Sequence, residues 1–183
     1  MTIEKSFAMW ARLGSLKVVC AALIGLQALY MALVAFGNIS DFSTNQQLVK
    51  HVLAMDSTNF GQPVGVGLDH AVMWRALTAA TAQDAVYVLI IVWESATALV
   101  LAGALAMWIL ERRSGRPTAR ALSTIGLLMI LMLFFGAFID IGGEWYQMWR
   151  STTNNGVEPA FRNTVLSIAT LIVIHLPQTP ALR

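Results

Sequence analysis

Apolar residues in this chain run together over helical rather than strand-like lengths, and the polar residues collect between those runs. A hydrocarbon core of about 30 Å needs about 20 helical residues to cross it. Four stretches meet or approach that length: residues 18–37, 85–110, 122–141 and 159–176. In the first, Gln27 and Tyr30 are almost the only polar side chains. The second holds one acid, Glu94, and the third reaches Asp140 only at its end. The fourth carries Asn163, Thr164, Ser167 and Thr170, so it is expected to tilt or to be covered by its neighbours. The expected fold class is an all-α membrane protein: one membrane domain over residues 1–183, built as a four-transmembrane-helix bundle.

The first connection on the outer side, residues 38–84, is too long for a bare loop. From Gln46 to Met55, Leu48, Val49, Val52 and Leu53 fall on one side and Lys50, His51 and Asp56 towards the other. From Asp69 to Thr78 the pattern repeats, with Asp69 placed as an N-cap before Val72, Met73, Ala76 and Leu77. Gly61, Pro63, Gly65 and Gly67 mark a turn-rich stretch between them. Two short interfacial helices in this long extracytoplasmic loop are therefore expected. Residues 142–158 form the second outer loop, and residues 111–121 the cytoplasmic one.

With 57% hydrophobic and 12% charged residues and a mean hydropathy of +0.64, the chain falls outside the soluble globular class. Its charges give the orientation. Lys5, Arg12, Lys17, Arg112, Arg113, Arg116, Arg120 and Arg183 lie on one side, and Lys50, Arg75, Arg150 and Arg162 on the other. The richer side is cytoplasmic, so both termini are expected inside a bacterial inner (plasma) membrane, in a multi-pass topology. These cations flank spans instead of covering a soluble face, so the basic character is topogenic and no nucleic-acid partner is expected. The first run is too long for a signal-peptide core, despite the small residues at Ala35 and Gly37, and is expected to stay as an anchor. The single Cys20 excludes an internal disulfide and a thiolate metal cluster.

A carboxylate facing lipid costs several kcal/mol, so Glu94 is expected to face protein or water. Ala98, Ala102 and Ala106 continue from it at four-residue steps, as a small-residue stripe suited to a close helix neighbour. Gln27, Tyr30 and Asn38 of the first span are candidate partners. The carboxylate suits a structural hydrogen bond or a proton or ion carrier, and the residues leave both open. Asp140 and Glu144 share a stripe at the outer boundary, where pairing with Arg75, Arg150 or Arg162 is favoured over cation binding. Trp74, Arg75, Trp145 and Trp149 suit an interfacial belt, or a cluster gripping a lipid headgroup, a quinone ring or a partner helix.

His51 and His70 lie in the outer connection and His175 at the far end of the fourth span, so no pair can hold a haem within the bundle. His51, Asp56, His70 and Glu144 lack the spacing of a metal motif, so no metal is expected. No phosphate loop, dinucleotide loop, nucleophile elbow or zinc-protease motif is present, which argues against an enzyme.

Several stretches together carry a resemblance: Asn38-Ile39-Ser40-Asp41 with Asn45 and His51-Val52-Leu53-Ala54-Met55-Asp56; Met73-Trp74-Arg75-Ala76; Trp93-Glu94; and Gly142-Gly143-Glu144-Trp145-Tyr146-Gln147-Met148-Trp149. The chain resembles the uncharacterised bacterial "predicted small integral membrane protein" family, a domain of unknown function. The stretch from Gly61 to Asp69 looks like an insertion relative to the family pattern. The resemblance implies four spans and brings no activity, substrate or cofactor.

Three functions are carried forward. The leading expectation is a non-catalytic accessory or assembly subunit of a membrane complex, in a larger assembly or a homo-oligomer. The alternatives are a small proton-coupled transporter using Glu94, and a quinone- or lipid-binding membrane module. No cofactor is expected, and membrane lipids are the expected surroundings.

Overall fold

The computed structural model describes residues 13–111 and 115–177. Lys5, Arg12, Arg112, Arg113 and Arg183, which weigh in the orientation, lie outside the described residues. Within them the fold is all-helical, with four helices long and apolar enough to cross a membrane: Leu16–Ser40, Ala80–Leu110, Pro117–Trp145 and Val157–Ile174.

Helix α1 (Leu16–Ser40) ends where the Asp41 N–H bonds the Gly37 carbonyl at 2.8 Å. Asp41 breaks the helix for one residue, and α2 (Phe42–Ala54) follows at once. The Thr44 hydroxyl donates to the Asp41 carboxylate at 2.8 Å, fixing that corner. Helix α2 is amphipathic, with Val49, Val52 and Leu53 buried, and it stops at Met55, which takes a left-handed conformation with φ of 55°.

The second interfacial helix expected over Asp69 to Thr78 does not form; only a 3₁₀ turn, Met73–Arg75, is present. Two competing bonds explain the difference. The Asp69 carboxylate accepts from the nearby Ala71 N–H in a local turn, and it also pairs with Arg150. Beyond the turn, the Leu77 N–H bonds the Leu53 carbonyl at 2.8 Å, which draws the backbone out of helical form to tie it to the end of α2.

Helix α3 (Ala80–Leu110) has 31 residues, a length of about 46 Å, so it overshoots a hydrocarbon core of about 30 Å. Its extra outer turns carry α2. Helix α4 (Pro117–Leu131) opens with proline at its first turn and receives the Glu111 carboxylate at its N-terminus, 2.9 Å from the Ala119 N–H. Without a break, α4 continues as a π-wound segment, Met132–Trp145, whose last bond runs from the Tyr146 N–H to the Ile141 carbonyl. So long a π-winding is unusual, because this geometry normally occurs as single bulges. Helix α5 (Val157–Ile174) completes the bundle.

Around the bundle α1 packs on α3, α3 on α4, and α5 closes the ring against the π segment and α1. Cys20, Ile24, Met31, Leu101, Trp108, Leu127 and Ile174 form the shared core. Trp108 donates its indole N–H to the Ser123 hydroxyl at 2.9 Å, so the largest buried side chain is also hydrogen-bonded. The polar residues of the fourth span lie inside: Thr164 and Thr170 are buried on α5 and satisfy their hydroxyls on the carbonyls of Ala160 and Leu166.

The stripe expected below Glu94 does not hold as drawn, because Ala102 and Ala106 are exposed. Steps of four residues advance about 400° on a helix, so each drifts about 40° and Ala106 ends about 120° from Glu94. The buried face of α3 instead follows Tyr87, Ile91, Glu94, Thr97, Leu101, Ala104 and Trp108.

Candidate functional site

Glu94 is near the middle of α3, 16 residues from Leu110 or about 24 Å at helical rise. There it is only 3% exposed and accepts a hydrogen bond of 2.7 Å from the Asn38 side-chain amide, two residues from the end of α1. The Asn38 side-chain oxygen in turn accepts from the Asn45 amide of α2 at 2.6 Å. Asn45 is exposed, so a chain of three side chains leads from the outer surface to the buried carboxylate.

Of the other partners considered for Glu94, neither reaches it. Gln27 shares the Asn38 face, since 11 residues return to within about 20° of it, but it lies about 16 Å nearer the start of α1. Tyr30 is turned about 80° away and its hydroxyl accepts from Asn163 of α5 at 2.9 Å.

Asp140 and Glu144 are exposed on the π segment, and the favoured ion pairs do not form. Arg150 pairs with Asp69 at 3.2 Å, Arg162 with Glu158 at 3.9 Å, and Arg75 has no carboxylate within ion-pair distance. The cations are taken by acids nearer in the outer loops and on their own helix. His51 bonds Asp56 at 2.8 Å, and no group of three metal-ligating side chains occurs among the described residues. His70 is exposed, and His175, at the end of α5, meets the Thr124 hydroxyl.

The outer aromatic cluster assembles in part. Trp74 and Trp145 meet edge to face with centroids 5.7 Å apart, and the Arg75 guanidinium lies 5.5 Å from one ring and 5.0 Å from the other. Arg75 also donates to the Trp145 carbonyl at 3.3 Å. Trp149 and Glu144 stand outside this group. Trp149 packs edge-on against Phe60 at 5.9 Å, and Arg150 lies over the same Phe60 ring. The one-residue spacing of Trp74 and Arg75 fixes their proximity, whereas the 3₁₀ turn Met148–Arg150 carries Trp149 to a different neighbour.

Hydropathy alone did not reveal one concave feature of the bundle. A cavity of about 330 Å³ opens between α2, α3 and the π segment, walled by Leu48, Val52, Leu53, Leu89, Ile90, Ala137, Phe138, Ile141 and Tyr146 among others. A second space of about 280 Å³ continues along the same seam past Trp93, Met132 and Leu133, sharing Leu89, Ile90 and Ala137 with the first. Its floor is set by Trp93, whose indole N–H bonds the Met129 carbonyl at 3.0 Å and ties α3 to α4. Together they trace an apolar groove between α3 and the π segment, from α2 past Trp93. The small residues Ala137 and Gly142 in a span dominated by Leu, Ile and Phe were the available signal.

No curated protein and no solved structure matches the chain. A family model described as "Predicted small integral membrane protein (DUF2165)" matches residues 16–177, so the four-helix integral membrane protein described above belongs to that family.

Proposed function

We propose that the protein is a non-catalytic lipid-binding membrane module, holding an apolar chain in the lateral groove between α3 and the π segment. The groove's walls carry this proposal: apart from the Tyr146 hydroxyl, the Trp93 indole N–H already bonded to Met129, and the thioethers of Met132 and Met148, they are hydrocarbon, as an acyl chain requires. A quinone ring would need donors for its two carbonyls, and the walls supply one hydroxyl. Transport through Glu94 draws less support, because the carboxylate is closed over by Asn38 and Asn45 within the α1–α3 seam. An accessory subunit role rests on the chain's small size and missing catalytic motifs, which do not identify a partner.

Within the same proposal, the chain sits in a bacterial inner membrane with both termini cytoplasmic. Lys17 at the start of α1, with Arg116 and Arg120 at the start of α4, marks one end of the bundle, and the Trp74–Trp145 pair marks the other. Native mass spectrometry of protein extracted gently from its own membrane tests the function. Wild type should retain lipid at defined stoichiometry, and Ala137→Phe, which places a ring in the space common to both cavities, should lose it. Undiminished lipid on a folded Ala137→Phe protein would reject the groove, and a stoichiometric protein partner without lipid would favour the subunit role.

A further inference from the structure

We infer that the groove selects a membrane phospholipid of net negative charge, with Arg75 holding the headgroup phosphate. This rests on the proposed groove and adds its specificity.

Arg75 is the outer-side cation that the fold leaves unneutralised. Lys50 has Asp84 at 3.2 Å, Arg150 has Asp69, and Arg162 has Glu158, whereas among the described residues no carboxylate lies within 4.0 Å of Arg75. A guanidinium carries five N–H donors in a planar fork. One Arg75 nitrogen, Nη1, has a hydrogen bond, a long one to the Trp145 carbonyl, and its Nε is buried with no partner. Two indoles hold the plane in place, so the vacant donors at the Nη end are fixed before any ligand arrives, while the buried Nε stays out of reach.

The position also matches a headgroup. Arg75 bonds the carbonyl of the residue preceding Tyr146, a groove wall, and the chain two residues on is tied to Leu53, another wall. Trp74 and Trp145 stand 71% and 46% exposed at this end, as interfacial tryptophans do at headgroup depth. A phosphate diester at the mouth would meet the fork while its acyl chain ran down the groove. A zwitterionic lipid brings an ammonium as well, and among the described residues no carboxylate lies within 4.0 Å of Arg75 to receive it there.

The test uses the full chain in detergent micelles, titrated separately with phosphatidylglycerol and phosphatidylethanolamine of identical acyl chains and followed by native mass spectrometry. Wild type should favour phosphatidylglycerol by about fivefold, the contribution of one interfacial cation. Arg75→Gln should reduce that preference to parity, Arg75→Lys should keep most of it, and Ala137→Phe should lower binding of both lipids. Equal binding of the two lipids by wild type, or an unchanged preference in folded Arg75→Gln, overturns the inference while leaving the groove intact. Full binding of both by Ala137→Phe overturns the groove itself. Thermal protection of Cys20 in each variant, compared with wild type, separates lost selectivity from lost folding.

Discussion

Replacing Asn38 by Leu should unlatch the outer end of α1 from α3. The substitution removes the 2.7 Å bond to Glu94 and leaves a carboxylate that is 3% exposed without its amide donor. Interhelical hydrogen bonds in membranes average about 0.6 kcal/mol and reach about 1.7. Stranding the buried acceptor adds about 1 kcal/mol or more, giving roughly 2 kcal/mol in all. For a chain of this size each kcal/mol moves the midpoint by about 2–4 °C, so Asn38→Leu should melt about 4–8 °C lower. Cys20 supplies the assay, because it is the sole cysteine and fully buried in the core, and a thiol-reactive fluorogenic maleimide reports its exposure on heating. Glu94→Leu should cost a similar amount by stranding the Asn38 amide. The double variant places two apolar side chains against each other and should recover at least half of the summed loss. Glu94→Gln keeps an acceptor for Asn38 and should stay within about 1 kcal/mol of wild type. Single losses that simply add in the double variant would mean the two residues are not coupled and the bond is not what secures this corner.

The same melting assay reads two further pairs of changes. At Gly126 an added Cβ would lie 2.5 Å from a Leu101 methyl, and Leu101 is fully buried. An overpacking cost of about 1–3 kcal/mol therefore outweighs the helix-propensity gain of about 1 kcal/mol, and Gly126→Ala should destabilise. Gly103 has nothing within 4 Å of its added Cβ, so Gly103→Ala should be neutral or stabilising, and equal effects at the two sites would refute the packing argument. Glu111→Ala removes the carboxylate that caps the Ala119 and Thr118 N–H groups of α4 and should cost about 1 kcal/mol, with Glu111→Gln losing less. Equal losses in the two variants would assign the effect to charge alone.

How legible the fold was in the sequence differs by level. Hydropathy suffices for four spans, because an unbroken apolar run of about 20 residues can satisfy its own backbone in lipid as a helix, whose length is set by membrane thickness. The helical character of α2 was readable from Val49, Val52 and Leu53. The Asp69 to Thr78 stretch has the same periodicity and still fails to form a helix, since Arg150 and Leu53, distant in sequence, bid for its polar groups. Glu94 stood out as an intramembrane acid, and Asn38 was among its candidate partners, but spacing could not rank Asn38 above Gln27 or Tyr30. That ranking depends on how high α1 stands against α3. The overshoot of α3 decides it, and nothing in one helix's sequence reveals it.

The groove was the least legible feature because small residues in a membrane helix have two opposite consequences. At Gly126 the missing side chain lets α4 close onto Leu101, and the seam is kept shut by indole bonds at both ends, Trp93 to the Met129 carbonyl and Trp108 to Ser123. Past Met129 the same helix changes to π-winding and commits to a different neighbour: Gly143 lies under Val157, and Phe138 packs against Gly156, both at the start of α5. Held there, the π segment cannot follow Ala137 towards α3, and the space beside Ala137 stays open under α2, while the Met148 methyl fills the place a Gly142 side chain would take. A small residue draws two helices together only when both backbones are free to move. Where one is already fastened elsewhere, the same residue leaves a space, and in a bilayer an apolar space open to the side is one that lipid chains fill.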